Sequence, residues 1–231
     1  MTGARVAVTN VGEGARRTVH ALRAVGLEPV MLPCIEARPV SEGELSEART
    51  AIASSDLAVF TSPRALEVLW PDGGLPPVEI AAVGPSTAEA VRRAGGEATV
   101  VGAGTGDDLV SLLCASVTGQ QVVLATSASA DPIRADRLRA AGGEVTTVTV
   151  YHTVSVAPRP DPVDAVLFGS PSAVGGWLLS RALPTSLVVG AIGPTTTAEL
   201  VRQGRPPDVV PHRLASPALV EALAAHLERV A

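Results

Sequence analysis

The strongest constraint on the fold of this chain is an internal duplication. Residues 60–65, Phe-Thr-Ser-Pro-Arg-Ala, return at residues 168–173 as Phe-Gly-Ser-Pro-Ser-Ala. Residues 82–87, Ala-Val-Gly-Pro-Ser-Thr, return at residues 191–196 as Ala-Ile-Gly-Pro-Thr-Thr, and the spacing between the copies drifts by only one residue. A repeat of this length indicates two similar domains. With 231 residues, the chain is long enough for each domain to bury its own core.

Each copy alternates short apolar runs with helical segments. Residues 57–60, Leu-Ala-Val-Phe, predict a strand that is covered on both faces. Ser62 and Pro63 then predict a helix start, because serine caps free amide groups and proline tolerates the first helical position. Further strands are predicted at residues 80–83, 98–101, 121–125 and 145–150, with helices between them. Regular alternation predicts an α/β fold of open parallel sheets with helices on both faces.

The second copy is incomplete, and the start of the chain holds the missing part. After strands predicted at 163–168, 187–192 and 208–210, the chain ends in a helix at 217–230, so two strands are lacking. The apolar and glycine pattern of residues 22–32 matches that of residues 138–148. We therefore predict that the N-terminal segment supplies the two strands.

This pattern predicts an inserted arrangement of the two domains. Domain 1 is discontinuous and comprises residues 1–33 plus 159–231, whereas domain 2 comprises residues 41–149. Residues 34–40 and 150–158 are predicted to be two linker strands that run side by side, with a cleft between the domains.

Composition and charge exclude several classes of function. The net charge of −5, without a basic run, argues against nucleic acid as a partner. No apolar run is long enough for a membrane span and no signal peptide is recognisable, so we expect a cytoplasmic protein without a membrane partner. All 18 basic residues are arginine, which excludes a Schiff-base lysine. Cys34 and Cys114 lack metal-ligand or disulfide spacing, and we expect both to be buried and no metal to be bound.

The repeated helix starts are candidate sites for an anion. In parallel sheets, ligands bind beyond the carboxyl ends of the strands, where helix N-termini present free N–H groups. Four such loops are predicted to face one cleft and hold a polyanion. An ordinary capping role explains any single one of them equally well. The candidate ligand residues are Thr61, Ser62, Arg64, Ser86, Thr87, Ser170, Ser172, Thr195 and Thr196.

Tyr151 is the only tyrosine of the chain, and it lies where the last strand of the inserted domain becomes a linker. A phenol at that position is able to bind a ligand by hydrogen bonding or to act as a weak acid. The alternative is that the ring packs against the linker and leaves its hydroxyl in water.

The order and spacing of these motifs resemble those of the uroporphyrinogen-III synthase family over nearly the whole chain. They are Val-Phe-Thr-Ser-Pro-Arg-Ala, Ala-Val-Gly-Pro-Ser-Thr, Val-Thr-Val-Tyr-His-Thr, Phe-Gly-Ser-Pro-Ser-Ala and Ala-Ile-Gly-Pro-Thr-Thr. The resemblance implies a cofactor-free lyase with two flavodoxin-like domains joined by a two-strand linker. It also implies a monomer, in possible transient contact with hydroxymethylbilane synthase.

The implied reaction converts linear hydroxymethylbilane to uroporphyrinogen III and water, with inversion of the last pyrrole ring through a spiro intermediate. The substrate carries eight carboxylates, which hydroxyls, helix N-termini and arginines such as Arg64 are suited to bind. In the family, the proton donor to the leaving hydroxyl corresponds to Tyr151 here.

Two positions depart from the family pattern. Family members often have Thr-Arg after the first strand, where this chain has Thr9-Asn10, leaving Arg16 or Arg17 as substitutes. Many also have a basic residue after the fourth strand, where this chain has hydroxyl residues, leaving Arg134 or Arg137.

Two other classes of function remain open. A non-catalytic protein that binds a tetrapyrrole or another small anion as a sensor would keep the capped loops but need no donor at Tyr151. A phosphosugar or nucleotide enzyme is less favoured, because the sequence lacks a carboxylate cluster for a metal.

Overall fold

The computed structural model describes residues 3–230, in which most strands are followed by a helix. The strands are β1 (Arg5–Val8), β2 (Glu28–Met31), β3 (Ile35–Pro39), β4 (Leu57–Phe60), β5 (Glu79–Ala82), β6 (Val100–Val101), β7 (Gln121–Ser127), β8 (Glu144–Ser155), β9 (Ala165–Phe168) and β10 (Val188–Ala191). The helices are α1 (Gly12–Ala24), α2 (Glu42–Ala53), α3 (Pro63–Leu69), α4 (Pro85–Arg93), α5 (Gly106–Leu113), α6 (Ile133–Ala140), α7 (Pro171–Leu178), α8 (Pro194–Arg202) and α9 (Ser216–Val230).

The strands form two sheets, and the predicted α/β class with parallel sheets is confirmed. One sheet has the order β10-β9-β1-β2, in which every neighbouring pair is parallel. The other has the order β3-β8-β7-β4-β5-β6, and its pairs from β8 to β6 are parallel. Parallel strands of this kind need helical crossovers, which the intervening helices provide.

The two sheets repeat one strand order. In the larger sheet, β8, β7, β4, β5 and β6 succeed one another. In the smaller sheet, β2, β1, β9 and β10 take the same succession, and a single bridge from Gly190 to Val209 stands where β6 stands. The N-terminal strands β1 and β2 lie in the same sheet as β9 and β10, because β1 pairs with β9 as well as with β2.

The chain divides into two compact units. Unit 1 contains the described residues up to Glu36 and those from Val154 onward, and unit 2 contains Ala37–Thr153. The chain passes from one unit to the other twice, in β3 and in β8, which are hydrogen-bonded neighbours. The N–H of Val40 donates to the carbonyl of Val150 at 3.2 Å, and the N–H of Val156 donates to that of Cys34 at 2.9 Å.

Each unit buries one copy of an aromatic pair. Phe60 and Trp70 meet edge to face in unit 2, with ring centroids 6.3 Å apart. Phe168 and Trp177 do the same in unit 1, at 6.0 Å. Edge-to-face pairs of this kind stabilise beyond the area that they bury. The four aromatic residues therefore belong to the hydrophobic clusters of the two units.

Each unit also has an aspartate that ties together the amino ends of two neighbouring strands. The carboxylate of Asp56, just before β4, accepts from the N–H of Gln121, the first residue of β7, at 2.8 Å. The carboxylate of Asp164, just before β9, accepts from the N–H of Arg5, the first residue of β1, at 2.7 Å. These contacts fix the register of the central strand pair in both units.

The structure corrects the predicted extent of three strands. The strand predicted at 98–101 is reduced to β6, a two-residue edge strand. The strand predicted at 208–210 is only the bridge at Val209, because prolines on both sides of this segment lack the N–H groups that a ladder needs. By contrast, β8 continues past the predicted end at Val150 to Ser155.

Cys34 is buried as predicted, whereas Cys114 is partly exposed, which corrects that prediction. Among residues 3–230, no helix is both long and apolar enough to cross a membrane.

Candidate functional site

A pocket of about 440 Å³ opens within unit 2, beyond the carboxyl ends of the strands. This is the edge of a parallel sheet where ligands bind. Its polar lining comes from the loop after β4, the end of β7 and the loop after it, the middle of β8, and the start of α6. The residues used below are Thr61, Ser62, Thr126, Ser127, Ser129, Asp131, Arg134 and Tyr151.

Hydroxyl groups dominate the polar lining. The Thr61 and Thr126 hydroxyls lie 3.4 Å apart, one at the end of β4 and the other in the neighbouring β7. The hydroxyl of Ser127, the last residue of β7, lies 3.3 Å from that of Ser129 in the loop that follows. Since a hydroxyl is both a donor and an acceptor, this lining is suited to bind carboxylate oxygens or a leaving hydroxyl without adding net charge.

A β-bulge aims Tyr151 at this pocket. Thr126 pairs with Thr149, but the next residue, Ser127, pairs with Tyr151, so Val150 is the extra residue of β8. Val150 is buried and Tyr151 packs against the same hydrophobic cluster, although neighbours on a regular strand face opposite ways. Bulges redirect side chains in this manner beside functional sites. The Tyr151 ring is half-buried, and within the described chain its phenol has no hydrogen-bond partner.

Ser62 has a structural role as well as a place in the pocket. Its hydroxyl oxygen accepts from the N–H of Arg64 at 3.2 Å and so caps α3. The copy in unit 1 behaves alike, because the Ser170 hydroxyl accepts from the N–H of Ala173 at 3.2 Å and caps α7. Both hydroxyls still have a proton to donate to a ligand. The predicted caps are therefore confirmed, and a ligand role remains compatible with them.

The pocket contains one positively charged side chain among its lining residues, that of Arg134. Its Nε lies 3.4 Å from Oδ1 of Asp107, in the first turn of α5. The carboxylate of Asp131 also lines the pocket, but its Oδ1 accepts from the N–H of Ile133 at 3.0 Å at the start of α6. Arg137 contacts Asp107 at 3.9 Å and the Ser111 hydroxyl at 2.9 Å, and it does not line the pocket.

The other predicted ligand residues are not part of this pocket. Arg64 is half-buried on α3, and its guanidinium makes no ion pair with a described residue. Ser86 is half-buried at the start of α4, whereas the side chain of the next residue, Thr87, is fully buried and its hydroxyl has no hydrogen-bond partner.

In unit 1, the predicted residues also differ in exposure. Ser170 and Ser172 are half-buried, and Thr195 is exposed at the start of α8. Thr196 is buried like its counterpart Thr87. Thr87 is 0% and Thr196 is 1% exposed, and neither lines the pocket, so both pack as core residues of their helices.

The loop after β1 in unit 1 is closed by local contacts. The Thr9 hydroxyl is buried and donates to the carbonyl of Leu167 at 2.7 Å. The Asn10 side chain lies so close to Gly169 that a Cβ there would be 2.9 Å from it. The possible substitutes Arg16 and Arg17 line a separate groove between α1 and α9.

Sequence reasoning did not select Thr126, Ser127 or Ser129 as site residues. A signal was present, because Thr126 and Ser127 end β7 and Ser129 follows it, as Thr61 and Ser62 follow β4. The carboxyl ends of neighbouring parallel strands share one edge of the sheet. Among the described residues, no group of three or more His, Cys, Asp or Glu is placed to hold a metal ion.

Comparison with known proteins identifies one family. A family model described as uroporphyrinogen-III synthase HemD matches residues 16–221. A uroporphyrinogen-III synthetase from Helicobacter pylori 26695 is similar in structure, with a TM-score of 0.66 at 14% identity over 97% of this chain and 99% of that chain. A mutant uroporphyrinogen III synthase from the extremely thermophilic bacterium Thermus thermophilus gives a TM-score of 0.56 at 22% identity, over 98% and 100%. The comparison with curated proteins gave no significant match.

Proposed function

The chain belongs to the uroporphyrinogen-III synthase family, and we propose from this premise that it converts hydroxymethylbilane to uroporphyrinogen III and water. The family model covers residues 16–221 and so spans the pocket in unit 2 and both copies of the duplicated motif. The observation that carries the proposal is the position of Tyr151 in a pocket lined by hydroxyls. An enzyme of this reaction acts on a small molecule.

The lining of the pocket suits a substrate that carries eight carboxylates. Neutral hydroxyls and a single arginine provide hydrogen bonds to carboxylate oxygens, so a chain with a net charge of −5 is still able to hold a polyanion. We propose that Thr61 and Ser62 bind the substrate in this pocket. Arg64, Ser86, Ser170, Ser172 and Thr195 remain proposed ligand residues outside it.

We assign Tyr151 as the proton donor. The C–O bond to the terminal hydroxyl of the bilane breaks, and the phenol proton leaves with that hydroxyl as water. The substituted α-carbon of the last pyrrole ring then attacks the methylene carbon that has lost the hydroxyl, which gives the spiro intermediate. The bond from that α-carbon to its original methylene bridge breaks, and the free α-carbon of the inverted ring bonds to the bridge carbon and closes the macrocycle. The ring carbon that closes the macrocycle gives up its own hydrogen, which restores a proton to the site and leaves a net loss of one water molecule. General acids of this kind contribute about 10² to 10⁴ in rate.

The domain organisation and cellular context are further proposals. We propose that residues 1–33 plus 159–231 and residues 41–149 act as two flavodoxin-like domains joined by linker strands, which the division into compact units supports. We also propose a cytoplasmic monomer that receives its substrate in transient contact with hydroxymethylbilane synthase. Rapid handover suits a substrate that closes to the type I isomer without enzyme.

Product analysis tests the proposal. Purified protein is given freshly generated hydroxymethylbilane, and the type III and type I isomers are separated after oxidation to porphyrins. We expect excess type III from the wild type and a loss of about 100-fold in kcat for Tyr151→Phe. The phenylalanine variant keeps the ring that packs on the core, so its melting temperature should match that of the wild type.

The outcomes separate the enzyme from the sensor. Type I alone, formed at the uncatalysed rate, would contradict the synthase and favour a protein that binds tetrapyrrole without turnover. Full activity in Tyr151→Phe would leave the synthase intact and remove the donor role from Tyr151.

A further inference from the structure

We propose that Arg134 is the carboxylate-binding cation of the pocket in unit 2 and that Asp107 is its positioning residue. This inference deepens the proposed function and rests on it for the identity of the substrate. It concerns two residues on different helices, Arg134 in the first turn of α6 and Asp107 in the first turn of α5.

Arg134 has an ion-pair contact but no side-chain hydrogen bond to a described residue. Its Nε lies 3.4 Å from Oδ1 of Asp107 and is buried without a hydrogen-bond partner. Within the described chain, the two terminal nitrogens donate no hydrogen bond. Those two nitrogens present parallel N–H groups, which is the geometry that binds a carboxylate through two hydrogen bonds. The side chain is only 28% exposed, so its charge is partly shielded from water.

Gly106 makes this position of the side chain possible. A Cβ on Gly106 would lie 2.4 Å from Nε of Arg134 and 2.9 Å from its Cζ. The guanidinium therefore lies directly over the glycine, between the start of α5 and the pocket. Any larger residue at position 106 would displace the guanidinium. The φ angle of Gly106 is not positive, so the close contact, and not the backbone conformation, is what favours glycine here.

The neighbouring arginines of α6 have other contacts. Arg139 pairs with Asp136 at 2.9 Å and donates to the carbonyl of Val145 at 3.0 Å. Arg137 donates to Ser111 and does not line the pocket. The selective placement of Arg134 in the pocket, with its terminal nitrogens available, distinguishes a ligand-binding arginine from a surface ion pair. Asp131 also lines the pocket, but its Oδ1 accepts a backbone N–H and its negative charge disfavours a second carboxylate nearby.

Charge-neutral variants test the role of Arg134. Arg134→Gln removes the cation and is expected to raise KM for hydroxymethylbilane about 10- to 100-fold, with a smaller change in kcat. The affinity for uroporphyrin III, followed by its fluorescence, should fall by the same factor. Arg139→Gln removes an equal charge from the same helix outside the pocket and is expected to leave KM and the affinity unchanged.

Two further variants test how Arg134 is positioned. Asp107→Asn and Gly106→Ala are each expected to weaken binding about three- to tenfold in the wild-type background, since each releases or displaces the guanidinium. In the Arg134→Gln background, both effects should disappear. A purely structural role of position 106 or 107 would instead give the same effect in both backgrounds.

The inference is overturned if Arg134→Gln binds uroporphyrin III as tightly as Arg139→Gln does, or if Arg137→Gln alone weakens binding. Because binding is measured without turnover, the two proposals are judged separately. A wild type that forms only type I isomer, but binds uroporphyrin III through Arg134, would contradict the synthase and retain the binding role. If the wild type forms the type III isomer but Arg134→Gln binds uroporphyrin III as tightly as the wild type, the synthase is retained and the binding role of Arg134 is contradicted.

Discussion

At the scale of single residues, the two cysteines illustrate how environment separates identical groups. Burial raises the pKa of the Cys34 thiol to about 12, although the charge of Arg181 acts in the opposite direction. Cys114 is partly exposed on the surface of unit 2. The Cys34 thiolate therefore makes up only about one part in ten thousand at pH 8.

We expect Ellman's reagent at pH 8 to modify one thiol in the native protein and two in the denatured protein. The Cys114→Ser variant should show no rapid reaction in the native state, whereas Cys34→Ser should react as the wild type does. A fast native reaction in Cys114→Ser would show that Cys34 is accessible and contradict its burial.

A second prediction at this scale concerns Asp208. Partial burial raises the pKa of its carboxyl, but hydrogen bonds from Arg205 at 2.7 Å and from the N–H of Val189 at 2.8 Å outweigh burial and hold the pKa below its usual range. Because the folded pKa is the lower one, the carboxylate stabilises the fold above a pH of about 4, and this contribution is lost as the pH falls through the folded pKa.

Asp208→Asn is therefore expected to lower the free energy of unfolding by about 1 kcal/mol at pH 7, a value reduced for its partial exposure to solvent. The difference from the wild type should shrink as the pH is lowered from 5 towards 2, as measured by urea denaturation. The exposed Asp72→Asn provides a control with the same change in charge. A difference that grows towards low pH would contradict the assigned direction.

The residue scale is also where the sequence was least informative. The caps at Ser62 and Ser170 were predictable, because a serine before proline has one local explanation. The bulge that turns Tyr151 towards the pocket was not, since it depends on the register between β7 and β8 rather than on local preference. The contact of Arg134 with Asp107 likewise depends on how α5 and α6 pack.

At the scale of elements, α7 packs closely against the segment around Cys34. A Cβ on Gly176 of α7 would lie 2.0 Å from the carbonyl oxygen of Cys34 and 2.8 Å from that of Val156. The carbonyl oxygen of Cys34 accepts from the N–H of Val156, and the N–H of Cys34 donates to the carbonyl of Thr9, so these backbone segments have little freedom to move. Helix α7 is therefore able to pack against these segments only because Gly176 has no side chain.

Gly176→Ala is expected to lower the free energy of unfolding by about 3 kcal/mol or more, although alanine in a helix is otherwise favoured by about 1 kcal/mol. The control is Gly175→Ala, whose Cβ would meet only the Ser155 hydroxyl, at 3.3 Å, which is able to rotate. Its free energy of unfolding should remain within about 1 kcal/mol of the wild type. Equal stability of the two variants, measured by thermal melting, would contradict the proposed close packing.

Strand positions were more predictable than strand lengths. Both ends of the apolar strand Leu57–Phe60 were predicted correctly, because the two faces of a central strand are buried and all of its residues are apolar. The lengths of the edge segments at residues 98–101 and 208–210 were overestimated. An edge strand has a neighbouring strand on one side only, and that neighbour determines how many residues pair.

At the scale of the whole molecule, the duplicated strand order predicts how parts of the chain behave alone. Unit 2 contains every strand from β4 to β8, whereas the segment after Val154 has β9 and β10 but lacks β1 and β2. We expect a fragment of residues 37–153 to unfold cooperatively on its own. A fragment of residues 154–231 should show the circular dichroism of an unfolded chain and gain structure when residues 1–36 are co-expressed with it.

Independent folding of residues 154–231 would contradict this prediction, and so would an unfolded fragment of residues 37–153. The inserted arrangement itself was visible in the sequence, because the pattern of residues 22–32 repeats at residues 138–148. The exact boundaries were less accessible, since β3 and β8 continue from one unit into the other.

The pairing of β1 with β9 has a consequence for synthesis of the protein. Thr9 and its hydrogen-bond partner Leu167 are 158 residues apart, which corresponds to about 8 to 30 s of translation. During that interval the whole of unit 2 leaves the ribosome, whereas β1 lacks its second partner strand, β9. We therefore expect unit 2 to fold first on the nascent chain, and the apolar N-terminal strands to be the segment that molecular chaperones hold until β9 arrives.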